Sequence, residues 1–167
     1  MSNIIFERAM EKDIEEIAKV HVDGWKETYT GIIPDEYLSK ISYESRRSHW
    51  KLLFGKEKVQ AIVCKIENEI VGFVSYGKEQ HGYEKYDGEM YALYLLKKAQ
   101  GKGIGKKLFE NGKTELKKLG YKKMLIWALS ENKSCDFYMK MGGQKEYTSR
   151  RNFSGTVLEE QSFGWEL

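Results

Sequence analysis

The residues best suited to chemistry lie in one stretch, Leu95-Leu96-Lys97-Lys98-Ala99-Gln100-Gly101-Lys102-Gly103-Ile104-Gly105-Lys106-Lys107, where an apolar run passes through alternating glycines into a helical pattern. Glycine lets backbone approach a ligand closely. The first turn of a helix leaves N–H groups unpaired, with the positive end of the helix dipole behind them. Together these features bind phosphate. Lys97, Lys98, Lys102, Lys106 and Lys107 surround the loop and add attraction for a polyanion. Two familiar phosphate loops do not fit. A Walker loop needs a hydroxyl residue after Gly-Lys, where this chain has Gly105-Lys106-Lys107. A dinucleotide fingerprint needs G-x-G-x-x-G, whereas Gly101, Gly103 and Gly105 strictly alternate.

Other reactive side chains form no such set. Cys64 and Cys135 fall in a strand-like and a helix-like stretch without close pairing, so they read as reduced packing residues. His21, His49 and His81 stand at no metal-ligand spacing from one another or from a cysteine, and no metal is expected. Ser75 lies between Gly72 and Gly77, but the spacing misses the G-x-S-x-G elbow of serine hydrolases.

A phosphate loop needs a strand and a helix to hold it, and the flanking pattern supplies both. Met90 to Leu96 is nearly all apolar and tyrosine, as in a central strand buried on both faces. After the loop, Ile104, Leu108, Gly112, Leu116 and Leu119 share one helical face, and the helix stops at Gly120. Upstream, Ile4 to Arg8 reads as a short strand, and Asp13 with Glu16 three residues on gives a capped helix start. Ile14, Ile17, Ala18, His21 and Trp25 carry that first helix to about Tyr29. Gly31 and Pro34 break it, and a second, shorter helical region ends at Gly55. Val59 to Ile66 and Ile70 to Tyr76 fit two antiparallel strands about Glu67-Asn68-Glu69. Gly77 to Gly88 reads as a mobile loop. Downstream come a strand at Met124 to Leu129, a short helix at Asn132 to Met141 and a closing hairpin about Ser154-Gly155. With no repeat or linker, residues 1–167 are expected to form a single α+β domain, a mixed central sheet flanked by helices on both faces.

Gln100-Gly101-Lys102-Gly103-Ile104-Gly105 fits the pattern Gln/Arg-x-x-Gly-x-Gly, and with it the chain resembles the GNAT acetyltransferases over nearly its whole length. Ala92-Leu93-Tyr94-Leu95 looks like the family's central strand. Asn132 followed by Phe137-Tyr138 resembles its second motif, and Trp25, Tyr29 and Gly31-Ile32-Ile33-Pro34 look like a common bacterial branch. One departure is Gly142-Gly143, where a glycine-phenylalanine pair is usual. The resemblance implies a GNAT-like acyl-CoA N-acyltransferase fold with a mostly antiparallel sheet. It also implies acetyl-CoA as the acetyl donor to a primary amine of a small molecule or peptide, by direct attack. Cofactor binding then falls to the main chain of Leu93 and Leu95 along the pantetheine arm, to Gln100, Gly101, Lys102, Gly103, Ile104, Gly105 and Lys106 around the pyrophosphate, and to Asn132. Tyr138 is implied as the acid that protonates the departing thiolate, and Glu89 as the base, acting through water. Trp25 and Tyr29 are expected in the wall of the acceptor pocket, with the rest of that wall drawn from Trp25 to Phe54, Gly77 to Gly88 and Arg150 to Gly155. Plainer readings stand beside these: Asn132 suits a helix N-cap, Glu89 a solvated strand end and Tyr138 a packing position. Small acetyltransferases of this kind are often homodimers.

Composition narrows the remaining classes. With 41% hydrophobic and 32% charged residues, the chain matches folded soluble proteins rather than disordered or membrane ones. No stretch approaches the roughly 18 uninterrupted apolar residues of a spanning helix, and Met1 to Arg8 lacks the cationic start and apolar core of an export signal. A cytoplasmic protein without a membrane partner is expected. A net charge of +3 is too mild to imply nucleic acid. Two rival functions remain: a nucleic-acid-binding module that uses the lysine-rich glycine loop, and a non-catalytic acetyl-CoA sensor. Against the first stands the lack of aromatic residues among the loop's lysines, and turnover separates the second.

Overall fold

The computed structural model describes residues 3–55 and 59–167. The chain opens with β1 (Ile4–Arg8) and a 3-10 turn (Glu11–Asp13), followed by α1 (Ile14–Tyr29), α2 (Asp35–Leu38) and α3 (Tyr43–Leu53). An antiparallel run follows, made of β2 (Gln60–Ile66), β3 (Glu69–Lys78) and β4 (Gly88–Leu95). Then come α4 (Ile104–Lys118), β5 (Lys123–Leu129), α5 (Ser134–Lys140), β6 (Gln144–Phe153) and β7 (Thr156–Glu166). The strands form a seven-stranded sheet in the order β1-β2-β3-β4-β5-β7-β6. Among the described strands of the sheet only β4 and β5 run parallel, and α4 makes the crossover that such a pair requires. This is the expected α+β class, a mixed and mostly antiparallel sheet.

Helices cover both faces. On one, Ile14, Ile17 and Ala18 of α1 and Trp50 of α3 pack on Ala61, Val63, Ile70 and Phe73. On the other, Ile104, Leu108, Phe109 and Leu116 of α4 and Tyr138 of α5 pack on Val74, Met90, Met124 and Phe163. Apolar burial on both faces holds the centre of the sheet rigid, which fixes whatever lies at its edges.

Three local expectations differ from what the chain does. Asp13 does not cap α1, because the 3-10 turn precedes it. Its carboxylate instead accepts from Met10 N–H at 2.8 Å and pairs with Lys65 at 3.3 Å, while Glu16 accepts from the Ile70 N–H. The segment after β3 is not an open loop. Glu79 accepts from the N–H groups of His81, Gly82 and Tyr83, and Asp87 from those of Lys122 and Lys123. Third, β4 is buried on both faces only over Gly88–Met90, and Tyr91–Leu95 are partly exposed.

That third difference has a cause in the register. β3 pairs Ser75 with Ala92 and Tyr76 with Met90, so Tyr91 is left without a partner. Such a bulge bends the strand that carries it. β4 meets β5 only over Gly88–Met90 against Met124–Ile126. Beyond Met90 the two strands part.

Gly142-Gly143 closes α5. Gly142 has a φ of +91°, and a Cβ on Gly143 would lie 2.5 Å from Trp165 of β7. The indole N–H of Trp165 donates to the Met141 carbonyl at 3.0 Å. A phenylalanine at 143 does not fit here because Trp165 already fills the space beside the helix end.

Candidate active site

Two cavities meet where β4 and β5 part, sharing Tyr29, Tyr91, Ala92, Tyr94, Trp127 and Ala128 in their walls. One, of about 670 Å³, runs along Leu93 and Leu95 to Gln100, Gly105, Asn132 and Tyr138. The other, of about 690 Å³, is walled by Trp25, Arg46, Trp50, Glu89, Arg151 and Phe153 among others, drawn from α1, α3, the turn after β3, and β6. Tyr29 lines both cavities, and Trp25 lines the second, where its ring lies 4.9 Å from that of Tyr29.

In the first cavity the strand edge is open. Leu96 N–H donates back to Val71 of β3 at 2.9 Å. Successive residues of a strand turn their main-chain groups to opposite sides, so Leu95 and Leu93 present theirs to the gap. Gln100 lines the cavity, and its amide nitrogen donates to the Leu95 carbonyl at 3.1 Å, which ties the loop to the strand.

The loop itself suits phosphate. Gly103 caps α4 with φ +75° and has no side chain to offer, and the first helical bond of α4 runs from Lys107 N–H to the Gly103 carbonyl. The N–H groups of Ile104, Gly105 and Lys106 therefore have no acceptor among the described residues. Gly105 has no left-handed φ, and a Cβ there would meet nothing within 4 Å. Neither its own backbone nor a protein neighbour demands glycine at 105, and the open space leaves room for a ligand against the loop. The lysines divide. Lys98 pairs with Glu69 at 2.6 Å and Lys107 lies over the Phe6 ring, while Lys97 lines the cavity and Lys102 and Lys106 flank Gly103 in the loop and the first turn of α4. Two orphaned polar groups fit the same ligand. The Ser134 hydroxyl and the Trp127 indole N–H are buried without a hydrogen-bond partner among the described residues, and both residues line this cavity.

Asn132 lines the same cavity and is bonded within the protein as well. Its side-chain oxygen accepts from Ser134 N–H at 3.0 Å at the start of α5, and its nitrogen donates to the Tyr29 hydroxyl at 3.3 Å. Tyr138 is 4% exposed and packs between Phe109 and Phe163 while lining the cavity. Burial, then Tyr29 and Cys135, hold its phenol well above the ordinary tyrosine range, so it stays protonated at neutral pH.

Glu89 is not a solvated strand end. It is 5% exposed, its Oε1 accepts from Gln80 N–H at 3.1 Å and its Oε2 lies 3.3 Å from His81 Nε2. Burial pushes its carboxyl up to about 6, against the opposing pull of His81 and the Gln80 N–H. Arg46 and His81 line the acceptor side and fall within the segments expected to wall it, though neither was singled out. Tyr94, expected only as part of the central strand, and Trp127, which sequence reasoning missed, line both cavities. His21 is half-buried on the acceptor wall with its ring 5.1 Å from that of Tyr94, accepts from the Trp50 indole at 3.2 Å and is pushed down to about 3 by burial and by Arg46 and His49. It is neutral at physiological pH.

A mixed sheet opened at its parallel pair, with an uncapped, glycine-led helix beside the opening, offers a phosphorylated ligand an anion site next to an exposed strand edge. Residues 14–143 match the acetyltransferase (GNAT) family. The chain is 35% identical, over 92% of its length and 88% of the relative's, to the uncharacterized N-acetyltransferase YuaI of Bacillus subtilis. It superimposes on the PaiA N-acetyltransferase of Thermoplasma acidophilum in complex with coenzyme A with a TM-score of 0.71 and 22% identity, covering 95% of this chain and 98% of that one. An N-acetyltransferase of Staphylococcus aureus gives 0.77 with 19% identity and 99% of both chains covered. The chain belongs to the GNAT family and is an acetyl-CoA-dependent acetyltransferase.

Proposed function

We propose that the protein acetylates a primary amine that enters through the cavity walled by α1, α3 and β6, by direct attack on the thioester of acetyl-CoA lying along Leu93 and Leu95. The observation that carries this reading is the meeting of the two cavities at the parted strands, because it brings an amine and a strand-bound thioester together without a covalent enzyme intermediate. Main-chain N–H groups of the Leu93–Leu95 edge face the gap, where they stabilise negative charge on the carbonyl oxygen. Glu89 takes the proton of the incoming ammonium through water, and Tyr138 gives one to the departing thiolate. A lysine-like amine costs roughly 4 to 5 kcal/mol to deprotonate at neutral pH, an α-amine only about 1.4. A carboxylate pushed up to about 6 is a better base for that task than an ordinary one. The reading keeps the protein in the cytoplasm as a homodimer, with no nucleic-acid partner.

Release of free thiol from saturating acetyl-CoA across a panel of amines tests it, beside calorimetry with acetyl-CoA and with RNA. The expected result is acetyl-CoA binding, no RNA binding and amine-dependent thiol release. Binding without release for any amine would mark a sensor, and RNA binding without acetyl-CoA binding would mark a nucleic-acid module.

A further inference from the structure

The acceptor cavity holds a cation that nothing answers. Arg46 of α3 reaches its wall half-buried, and among the described residues its guanidinium has neither an ion pair nor a hydrogen-bond partner. Nearby arginines differ. Arg47 meets Glu15 at 3.4 Å on the outer side of α3. Arg151, on the cavity wall opposite, lies 3.7 Å from Glu160 and donates to the Tyr37 hydroxyl. Burial pulls the Arg46 pKa down and Arg151 adds to that, while only the tyrosines Tyr94 and Tyr37 oppose it. Such a charge destabilises the folded protein unless something answers it.

Charge is distributed unevenly along the cavity. Glu89 and His81 stand at the start of β4, whereas Arg46 faces Tyr94, five residues further on, about 16 Å along an extended strand. One end therefore draws a proton and the other offers a fork of donors suited to an oxyanion. Between them lie the rings of Trp25, Trp50 and Phe153. Arg151 already shares Glu160, so a single positive charge is left over, which matches a singly charged carboxylate better than a phosphate.

We propose that the acceptor is an aminocarboxylate, its amine directed to the parted strands and its carboxylate received by Arg46. This rests on the acetyl-transfer reading above. The experiment compares an amino acid with its own carboxamide, phenylalanine with phenylalaninamide and lysine with lysinamide, in the parent protein and in Arg46→Gln. Acid and amide differ in the basicity of the amine, but that difference cancels when their kcat/KM ratio is compared between the two proteins. The acid-to-amide ratio should fall by about tenfold or more in Arg46→Gln, chiefly through KM, and Arg46→Lys should restore part of it. A thermal melt supplies a second readout. A saturating amino-acid acceptor should raise the melting temperature of the parent and not of Arg46→Gln, and ligand-free Arg46→Gln should melt no lower than the parent. Faster turnover of polyamines than of any aminocarboxylate, an unchanged ratio, or a ligand-free variant that melts lower, overturns the proposal. If no amine releases thiol from either protein, acetyl transfer is what fails, and the ligand-dependent melt alone decides the carboxylate site: a shift confined to the parent upholds it, no shift overturns it.

Discussion

His81 Nε2 lies 3.3 Å from Glu89 Oε2, so the buried carboxylate at the start of β4 leans on a half-exposed imidazole that opens to the acceptor cavity. The pair joins this carboxylate to solvent. In the proposed transfer, a proton taken by Glu89 leaves through His81 without crossing the thioester.

The pH dependence of Glu89 follows with a definite sign. Burial pushes its carboxyl up to about 6, above the ordinary glutamate range, so folding favours the protonated form. The stability this group contributes is fully present below the unfolded value and is lost as pH rises through about 6. Glu89→Gln should therefore be more stable than the parent at pH 8 by about 2 kcal/mol and nearly equal to it at pH 4. Catalysis runs the other way. The parent's kcat/KM should rise with pH through about 6, and Glu89→Gln should lose that limb, with a larger drop in kcat for lysine-like amines than for α-amines. Thermal melts at the two pH values and a pH–rate profile check both halves. A profile in which the limb survives the substitution assigns the base to another group.

Gly105 offers a test in which stability and binding move oppositely. Its backbone is helical and the space around it is open, so Gly105→Ala should stabilise α4 by up to about 1 kcal/mol. The added methyl stands where the ligand approaches the loop, and acetyl-CoA affinity should fall at least tenfold by calorimetry, a loss of about 1.4 kcal/mol. Gly103→Val is a poorer probe, because φ +75° strains any L side chain and weakens the fold along with the site. Gly105→Ala that binds acetyl-CoA as the parent does would remove the ligand from this loop.

What could be read in the sequence was what depends on neighbours along the chain. The apolar run into Gly101, Gly103 and Gly105 announced a strand, an anion loop and a helix, because each is a local property of backbone freedom and periodicity. Asn132, Phe137 and Tyr138 were equally local. The bulge at Tyr91 was not, since it arises from how β3 pairs with β4, and no residue type at 91 demands it. The half-exposure of Tyr91–Leu95 follows from that bulge, so the run read as buried strand on both sides. Arg46 was hidden for the converse reason. In sequence it sits beside Arg47 in a polar helix, and only the fold turns one toward the cavity and the other toward Glu15.

Tyr138 has two possible roles, and one substitution divides them. The phenol is buried among Phe109, Phe163 and Trp165 on the cavity wall, and Tyr138→Phe keeps the ring and its packing while deleting the proton. Burial holds the phenol above its ordinary value, which on its own makes it a weaker acid. The thiolate forms in the same dry cleft, however, and burial raises a thiol for the same reason, so the two stay close enough for proton transfer. As an acid the hydroxyl acts only when the thiolate leaves. Its loss should lower kcat by something on the order of 10² to 10⁴ while acetyl-CoA affinity and melting temperature hardly move. A hydroxyl that only anchors α5 gives the reverse, about 1 kcal/mol of lost stability with turnover nearly intact. The measurement is kcat at saturating acetyl-CoA with an accepted amine, paired with a melt of both proteins. Normal turnover in Tyr138→Phe would leave Tyr138 a packing residue and move reprotonation of the thiolate to solvent.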